Sequence, residues 1–328
     1  MATTRVGIVG AGWIARVHAQ ILDRFDDARV VAVASRRPER AAQLAESSGA
    51  KVFADYRSML DQAELDAVFV CVPPDLQVEV ARAVVERGLA IMAEKPLGLD
   101  QTGPEHVAGI IREKGLVSCV GYQWRYLEVV DAARQLLESN PPHLVIGSWL
   151  GETPGAEWWA RQSRSGGQIV EQATHIFDLA RYLAGELEPV AAWGRHIERP
   201  RHPTDDIQDV TNTSLRFASG AVGSISTTCL LDAAHRVEIE TISDGLALTL
   251  QVLEARLSIR RAGGVEVRRP PSEFETPYER QNRAFVDAVQ GKPNRIRSTY
   301  EDALRTHRAT LAASRLALAE EDRPRQPS

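Results

Sequence analysis

Apolar residues in the first 125 positions come in short unbroken runs. Arg5–Val9, Arg29–Ser35, Asp66–Val72, Ala90–Ala93 and Leu116–Gly121 are each rich in Val, Ile, Ala or Phe. Such runs mark strands buried on both faces, as in a parallel sheet. Between them apolar residues recur at helical spacing. Ile14, Val17, Ile21 and Phe25 predict a helix over Trp13–Phe25, and Leu76–Arg87 and Gly103–Glu113 behave alike. Gly88, just past one helix end, suits a left-handed cap. This alternation predicts a doubly wound α/β sheet, a Rossmann domain over residues 1–122.

Beyond Asn140-Pro141-Pro142, which breaks a helix, the periodicity changes to two. Val210–Phe217, Val222–Cys229, Arg236–Ser243, Ala247–Val252 and Ala255–Arg261 alternate apolar and polar residues. They predict a mainly antiparallel sheet with one face on a core, in a second α/β domain over residues 123–328. Tyr278–Val289 and Tyr300–Ala319 read as closing helices that can pack back on the first domain, and Glu320–Ser328 as a frayed tail.

Composition narrows the class. Of the 328 residues 44% are hydrophobic and 25% charged, with a net charge of −5, so there is no basic footprint for nucleic acid or anionic membrane. No run approaches the roughly 20 apolar residues needed to span a bilayer, and no leader pattern is visible, so a cytoplasmic protein is expected. Cys71, Cys119 and Cys229 lie far apart and read as buried reduced thiols.

Chemistry enters at Gly10-Ala11-Gly12-Trp13-Ile14-Ala15, a G-x-G-x-x-A turn between the first strand and helix. Gly10 allows the tight turn, Gly12 lets a pyrophosphate approach the backbone, and Ala15 lets the helix pack on the sheet. The competing reading is a merely structural turn. At the end of the second strand an acid would select a ribose 2′-hydroxyl, but Ser35-Arg36-Arg37 stands there. That favours NADP over NAD, against the alternative of solvated arginines. Glu94-Lys95-Pro96 follows a strand end, where ligands of open α/β sheets bind. Lys95 can hold a substrate hydroxyl and stabilise charge on its oxygen, and Pro96 fixes the turn. By itself the tripeptide is equally a solvated charge pair.

Gly166 to Gly185 is a sharper signal. Read as one helix from Gln168, it places Ile169, Val170, Ala173, Ile176, Phe177, Leu179, Ala180 and Leu183 on a broad apolar arc. Glu171, His175, Asp178 and Tyr182 then cluster on the opposite side within about 60°. Glu171 and Asp178 would flank His175 and tune it as a general acid/base. A solvated face, or a Glu–His metal site, are the alternatives, but no second His or Cys cluster supports a metal. Tyr122, Trp124, Arg125 and Tyr126 follow the Leu116–Gly121 strand, and Trp158, Trp159 and Arg161 precede Gly166-Gly167. These groups suit sugar C–H faces and hydroxyls. At least two of the tryptophans are expected to be structural.

These motifs, with Val72-Pro73-Pro74-Asp75, Gly121-Tyr122-Gln123 and Tyr300-Glu301-Asp302-Ala303-Leu304, resemble the Gfo/Idh/MocA oxidoreductases over nearly the whole chain. That family includes glucose–fructose oxidoreductase and inositol dehydrogenase. The resemblance implies reversible oxidation of a ring hydroxyl on a sugar, cyclitol or derivative, and a homodimer or homotetramer formed through the second sheet. It makes Lys95 the group on the reacting hydroxyl, His175 the acid/base and Glu171 its catalytic neighbour. It sets Gly10, Gly12, Trp13, Ile14, Ser35, Arg36, Arg37, Val72, Pro73, Pro74, Glu94, Lys95 and Gln123 beside the dinucleotide. Tyr122, Arg125, Trp158 and Asp178 fall beside the substrate. Three positions depart from the pattern: Glu171 replaces an aspartate, Gln77 a frequent histidine, and Trp158-Trp159 a Trp-Arg pair. An NAD-dependent glycosidase of the same fold and a non-catalytic dinucleotide-binding sensor are the rival readings.

Overall fold

The structure, a computed structural model, describes residues 3–200, 203–270 and 276–321. The first stretch of chain runs β1 (Thr4–Val9), α1 (Trp13–Leu22), β2 (Ala28–Ala34), α2 (Pro38–Ala45), β3 (Lys51–Phe53), α3 (Tyr56–Gln62) and β4 (Ala67–Val70). It continues through α4 (Pro74–Glu86), β5 (Ala90–Ala93), α5 (Thr102–Lys114), β6 (Ser118–Val120) and a 3-10 turn at Gln123–Tyr126. Then come α6 (Glu128–Glu138), β7 (Leu144–Glu152), α7 (Gln162–Ser165), α8 (Gly167–Glu171) and α9 (Thr174–Ala184). Seven strands follow: β8 (Leu187–Arg195), β9 (Val210–Phe217), β10 (Val222–Leu231), β11 (Arg236–Ser243), β12 (Leu246–Gln251), β13 (Arg256–Arg261) and β14 (Gly264–Arg268). Helices α10 (Pro277–Val289) and α11 (Tyr300–Glu321) close the chain. Most of the tail expected to fray lies outside the described residues.

By its own contacts the chain forms two units, Met1–Tyr126 with Glu275–Leu304, and Leu127–Phe274 with Arg305–Ser328. The first holds a parallel sheet in the order β3-β2-β1-β4-β5-β6. Its central strands are buried on both faces, and Val6, Ile8, Val68, Phe69 and Val70 are inaccessible. That double burial is why they read as continuous apolar runs. One core cluster lies on each side of the sheet, and the α10 residues Phe285 and Val286 belong to the one under α1. Phe285 meets Phe69 edge to face, ring centroids 5.5 Å apart, which favours the aromatic quadrupoles.

The second unit holds an eight-stranded sheet in the order β14-β13-β12-β11-β7-β10-β9-β8. All neighbours are antiparallel except β7 and β10. Helices α6, α8 and α9 pack against it. Gly147 on β7 faces α9, because a Cβ there would lie 2.5 Å from Ile176. The opposite face carries the side-by-side residues Ser258, Thr249, Glu240, Ile146, Ser224 and Ser214, half-buried to exposed. Among the described residues no helix is long and apolar enough to cross a membrane. The three cysteines are reduced and buried, and burial pushes Cys119 up to about 12 and Cys229 up to about 11.

The returning segment is tied to the first sheet by charge as well as packing. Asp27, just before β2, accepts from Arg283 at 2.7 and 3.2 Å and from Lys292 at 3.0 Å. The Arg283 hydrogen bonds hold the Asp27 carboxyl down at about 2, against an ordinary 3.8, with burial opposing and Lys292 assisting. A depressed carboxylate pKa stabilises fully above its unfolded value and less as pH falls through its folded value. Between pH 3.8 and about 2 the Tm gap between the parent and Asp27→Asn should therefore narrow. Thermal melts at stepped pH check this, and a constant gap removes the pair from the acid limb.

Candidate active site

The parallel strands of the first unit all end at one edge, and the sequence motifs follow those ends. After β1 the chain turns at Gly10, whose φ is +108°. A Cβ there would sit 2.1 Å from the Cys71 carbonyl oxygen, so only glycine fits. Gly12 caps α1 in an extended conformation. A Cβ on it would have nothing within 4 Å. No side chain caps α1 and no acid stands in its first turn, so its unpaired N–H groups and positive dipole end suit an anion. That open cradle fits a dinucleotide pyrophosphate. Trp13 beside it is 64% exposed and meets Tyr278 of α10 edge-on, centroids 6.2 Å apart. Ile14 is half-buried, leaning on the core below.

Past β2, Ser35 accepts the Arg37 backbone N–H at 3.1 Å, shaping the turn into α2. Arg36 and Arg37 are exposed, and the nearest acid along this turn is Glu39 in the first turn of α2. Past β4, Val72 and Pro73 are half-buried and Pro74 opens α4.

Past β5 the Glu94-Lys95-Pro96 turn is held from four sides. The Glu94 N–H donates to the Val70 carbonyl at 3.0 Å. Gln77 donates from Nε2 to the Glu94 carbonyl at 2.5 Å. The fully buried His18 donates from Nε2 to Glu94 Oε1 at 3.1 Å, and its Nδ1 lies 3.0 Å from the Asn282 side-chain amide. A Cβ on Gly121 would lie 2.6 Å from the Glu94 carboxylate. The Lys95–Pro96 bond is cis, and Lys95 itself is half-buried. Gln123 donates to the Tyr278 hydroxyl at 3.1 Å, whose ionisation is pushed up by burial and then by Glu94. His18, Asn282 and Tyr278 were absent from the sequence reading. The available signal was His18 itself, a polar ring on the stripe between Ile14 and Ile21 that had to be buried.

Tyr122 and Arg125, read as substrate groups, have another place. Tyr122 is 1% exposed, within the core cluster against α4 and α5. Arg125 is 2% exposed. It donates to the Arg297 carbonyl at 2.6 Å and pairs with Asp302 at 2.7 Å. Arg297 returns a bond to the Arg125 carbonyl at 2.6 Å. These residues bind the returning segment 275–304 to the sheet, and that is a structural duty.

In the second unit the single helix expected from Gln168 is two helices. Consecutive left-handed glycines, Gly166 and Gly167 with φ +78° and +80°, lead into α8. The Gln172 N–H still donates to the Gln168 carbonyl at 3.0 Å, but the Ala173 N–H reaches back to the same carbonyl at 2.8 Å, one residue further than an α-helical bond. The reason is packing: α8 lies on β10 and α9 on β7 and β11, so each buries its own apolar side. Glu171 thus ends α8, and His175 lies in α9. Its Oε2 accepts the Trp159 indole N–H at 2.5 Å.

His175 and Asp178 remain one turn apart on α9, but both are buried, at 6% and 1% exposure. The His175 ring stacks on Trp149, centroids 6.1 Å apart and 23° between planes. Asp178, expected beside the substrate, instead accepts from Thr306 of α11 at 2.9 Å, and Thr306 in turn accepts from Arg181 at 3.1 Å. It fixes the helix that carries His175. Tyr182 accepts from Arg134 at 2.8 Å at the surface. Trp124 and Trp159 are buried, while Trp158 is half-buried over the cluster of Trp159, Ala160, Ile207 and Cys229. Among the described residues no three histidines, cysteines or acids are grouped to hold a metal ion.

A glycine-turn cradle at the switch point of a doubly wound sheet defines a dinucleotide-binding fold. Residues 4–122 match the family model described as "Oxidoreductase family, NAD-binding Rossmann fold", and residues 130–243 match the Gfo/Idh/MocA C-terminal domain. The chain belongs to the Gfo/Idh/MocA family of NAD-dependent oxidoreductases. It is 30% identical over 268 residues to levoglucosan dehydrogenase of Pseudarthrobacter phenanthrenivorans, covering 70% of this chain and 68% of that one. It is 28% identical over 299 residues to inositol 2-dehydrogenase of Rhizobium meliloti, covering 88% and 89%. Its fold is that of a solved levoglucosan dehydrogenase complex with NADH and levoglucosan, with a TM-score of 0.86, 22% identity and coverage of 97% and 98%.

Gly12→Ala tests the cradle. With open space around the new methyl, its Tm should match the parent's within a degree or two, roughly the scatter of a surface change. NADH affinity should fall at least about tenfold, the cost of obstructing one charge-assisted contact. Unaltered NADH titrations would take Gly12 off the pyrophosphate path.

Proposed function

We infer that this protein oxidises or reduces a ring hydroxyl or ketone of a sugar, cyclitol or derivative, with Lys95 on the reacting oxygen and His175 as the acid/base. The observation that carries this is the immobilised Glu94-Lys95-Pro96 turn, fixed by Gln77, His18 and Gly121 at the edge that also carries the glycine cradle. An ammonium held at that edge suits stabilisation of negative charge on a substrate oxygen. The bound dinucleotide accepts or supplies the hydride. Lys95 donates hydrogen bonds to the substrate oxygen throughout. His175, held in place by Trp149 and by an α9 anchored through Asp178, takes the hydroxyl proton in oxidation and returns it in reduction. Glu171 supplies the neighbouring carboxylate. Gly10, Gly12, Trp13 and Ile14 hold the pyrophosphate side, and Val72, Pro73, Pro74, Glu94 and Gln123 line the strand ends beside the cofactor. Trp158 is the aromatic wall for the substrate.

NADP is the preferred cofactor in this reading. No acid stands at residues 35–37, and Arg36 and Arg37 offer exposed guanidiniums where a 2′-phosphate would sit. The half-buried face of the second sheet, with Ile146 and Val222 among small polar residues, suits a second copy of the chain and a homodimer or homotetramer.

Lys95→Ala should lower kcat/KM by roughly two to three orders of magnitude, the usual cost of losing one charge-stabilising donor, while NADH still binds. Steady-state kinetics on a polyol panel check this, and an unchanged kcat/KM would take Lys95 out of the reaction. Reversing both charges at Arg36 and Arg37 to Glu should reduce the NADP⁺/NAD⁺ ratio of kcat/KM by about tenfold or more, one charge-assisted pair's worth. A ratio that does not move assigns the arginines to solvent.

A further inference from the structure

The departures at positions 159 and 171 meet in one contact. Trp159 is 1% exposed, and its indole N–H donates to Glu171 Oε2 at 2.5 Å. We propose that Trp159 is a positioning residue for substrate selection, holding the Glu171 carboxylate as a fixed acceptor for a substrate hydroxyl. The proposal rests on the reading above that Glu171 is the carboxylate neighbouring His175 in the reaction.

Trp159 is the rigid partner. Its backbone N–H donates to the Ala156 carbonyl at 2.8 Å, and its ring packs with Ala160, Ile207 and Cys229. The chain on both sides of it is pinned to the segment leading into β9. Thr153 Oγ1 donates to the Cys229 carbonyl at 2.9 Å and accepts from Arg199 at 3.1 Å. Arg199 in turn pairs at 2.6 Å with Asp209, which is inaccessible to solvent. On the other flank the Gln162 N–H donates to Asp206 at 2.6 Å, and the Asp206 N–H to the Ala160 carbonyl at 3.1 Å. Glu171 is the compliant partner, the last residue of a five-residue helix that opens on the second of two glycines. The indole therefore determines where the carboxylate goes.

Side-chain length explains the glutamate. Aspartate is one C–C bond, roughly 1.5 Å, shorter. With the main chain unmoved, the 2.5 Å contact would open to about 4 Å, too long for a hydrogen bond. Glutamate and tryptophan at these two positions form a pair. A carboxylate immobilised in this way discriminates against an analogue lacking the hydroxyl it accepts, because that analogue forgoes a charge-assisted hydrogen bond.

Four variants separate positioning from packing. Trp159→Phe keeps an aromatic ring and removes the donor. Glu171→Asp keeps the charge and loses the reach. Glu171→Gln keeps an acceptor for the indole, and the fourth is the Trp159→Phe/Glu171→Asp double variant. In ¹H–¹⁵N spectra Trp159→Phe identifies one of the six indole signals. Glu171→Asp should move that signal upfield, and Glu171→Gln should move it less. In kinetics Trp159→Phe and Glu171→Asp should each cut discrimination between a polyol substrate and its deoxy analogue by about tenfold or more. NADH affinity should hold in both. The double variant should be no worse than the poorer single, as expected for two residues acting through one contact. An indole signal indifferent to Glu171→Asp, or single penalties that multiply in the double variant, overturns the proposal. A parent that shows the indole bond yet turns over no polyol overturns the functional reading instead. A packing role alone would lower Tm without moving the discrimination ratio, and that also counts against the proposal.

Discussion

The close approach of two backbones underlies everything in the first unit. Gly10 passes the end of β4 so tightly that a single added carbon would lie 2.1 Å from the Cys71 carbonyl oxygen. On one side Gly10 donates to Ala34, and on the other Cys71 donates to Val9, both at 2.8 Å. Strand order reverses at that point, with β2 on one flank of β1 and β4 on the other. Connections from β1 and β4 therefore leave toward opposite faces, and a crevice opens between them. A bulkier residue at position 10 would have to force the strand ends apart. The glycine turn thus shapes the sheet as well as making room for a ligand.

The two units secure Lys95 and His175 by different means. Lys95 depends on polar bonds to its neighbour: Glu94 is bonded through its N–H, its carbonyl and its carboxylate, each to a different element of the fold. His175 depends on aromatic packing and on Asp178, whose bond to Thr306 ties α9 to α11. Buried polar groups bonded in this way favour one geometry, since losing such a bond leaves a donor or acceptor unmet. Residues that look like substrate ligands by type are committed to such support. Arg125 and Asp178 are the clearest cases, charged groups almost without exposure that join segments more than a hundred residues apart.

Those long spans also explain what the sequence disclosed. The parallel strands were legible because burial on both faces leaves a local mark, and β9 and β11 match their period-2 segments residue for residue. Four strands left no such mark. Strand β3 has three residues, two of them exposed. Strand β14 is exposed throughout. A bulge between Pro189 and Ala191 disturbs the alternation of β8. Strand β7 pairs on both sides at the centre of its sheet, and its apolar residues do not alternate. The glycine turn and the Glu94-Lys95-Pro96 turn were readable because each lies within a few residues of a strand end. The break at Gln172 was hidden because the apolar arc runs through it without interruption. The partners of Arg125, Arg297 and Asp302, lie too far along the chain for any local pattern to reveal.

The first unit is not finished when its sheet is. Asn282, Phe285 and Arg283 come from α10, and without them His18, Phe69 and Asp27 lack their neighbours. A ribosome releases the chain from the N-terminus, so these six strands wait for more than half of the remaining polypeptide before α10 arrives to cover them. A gene fragment ending at residue 126 would encode a sheet whose core under α1 lacks Phe285 and Val286.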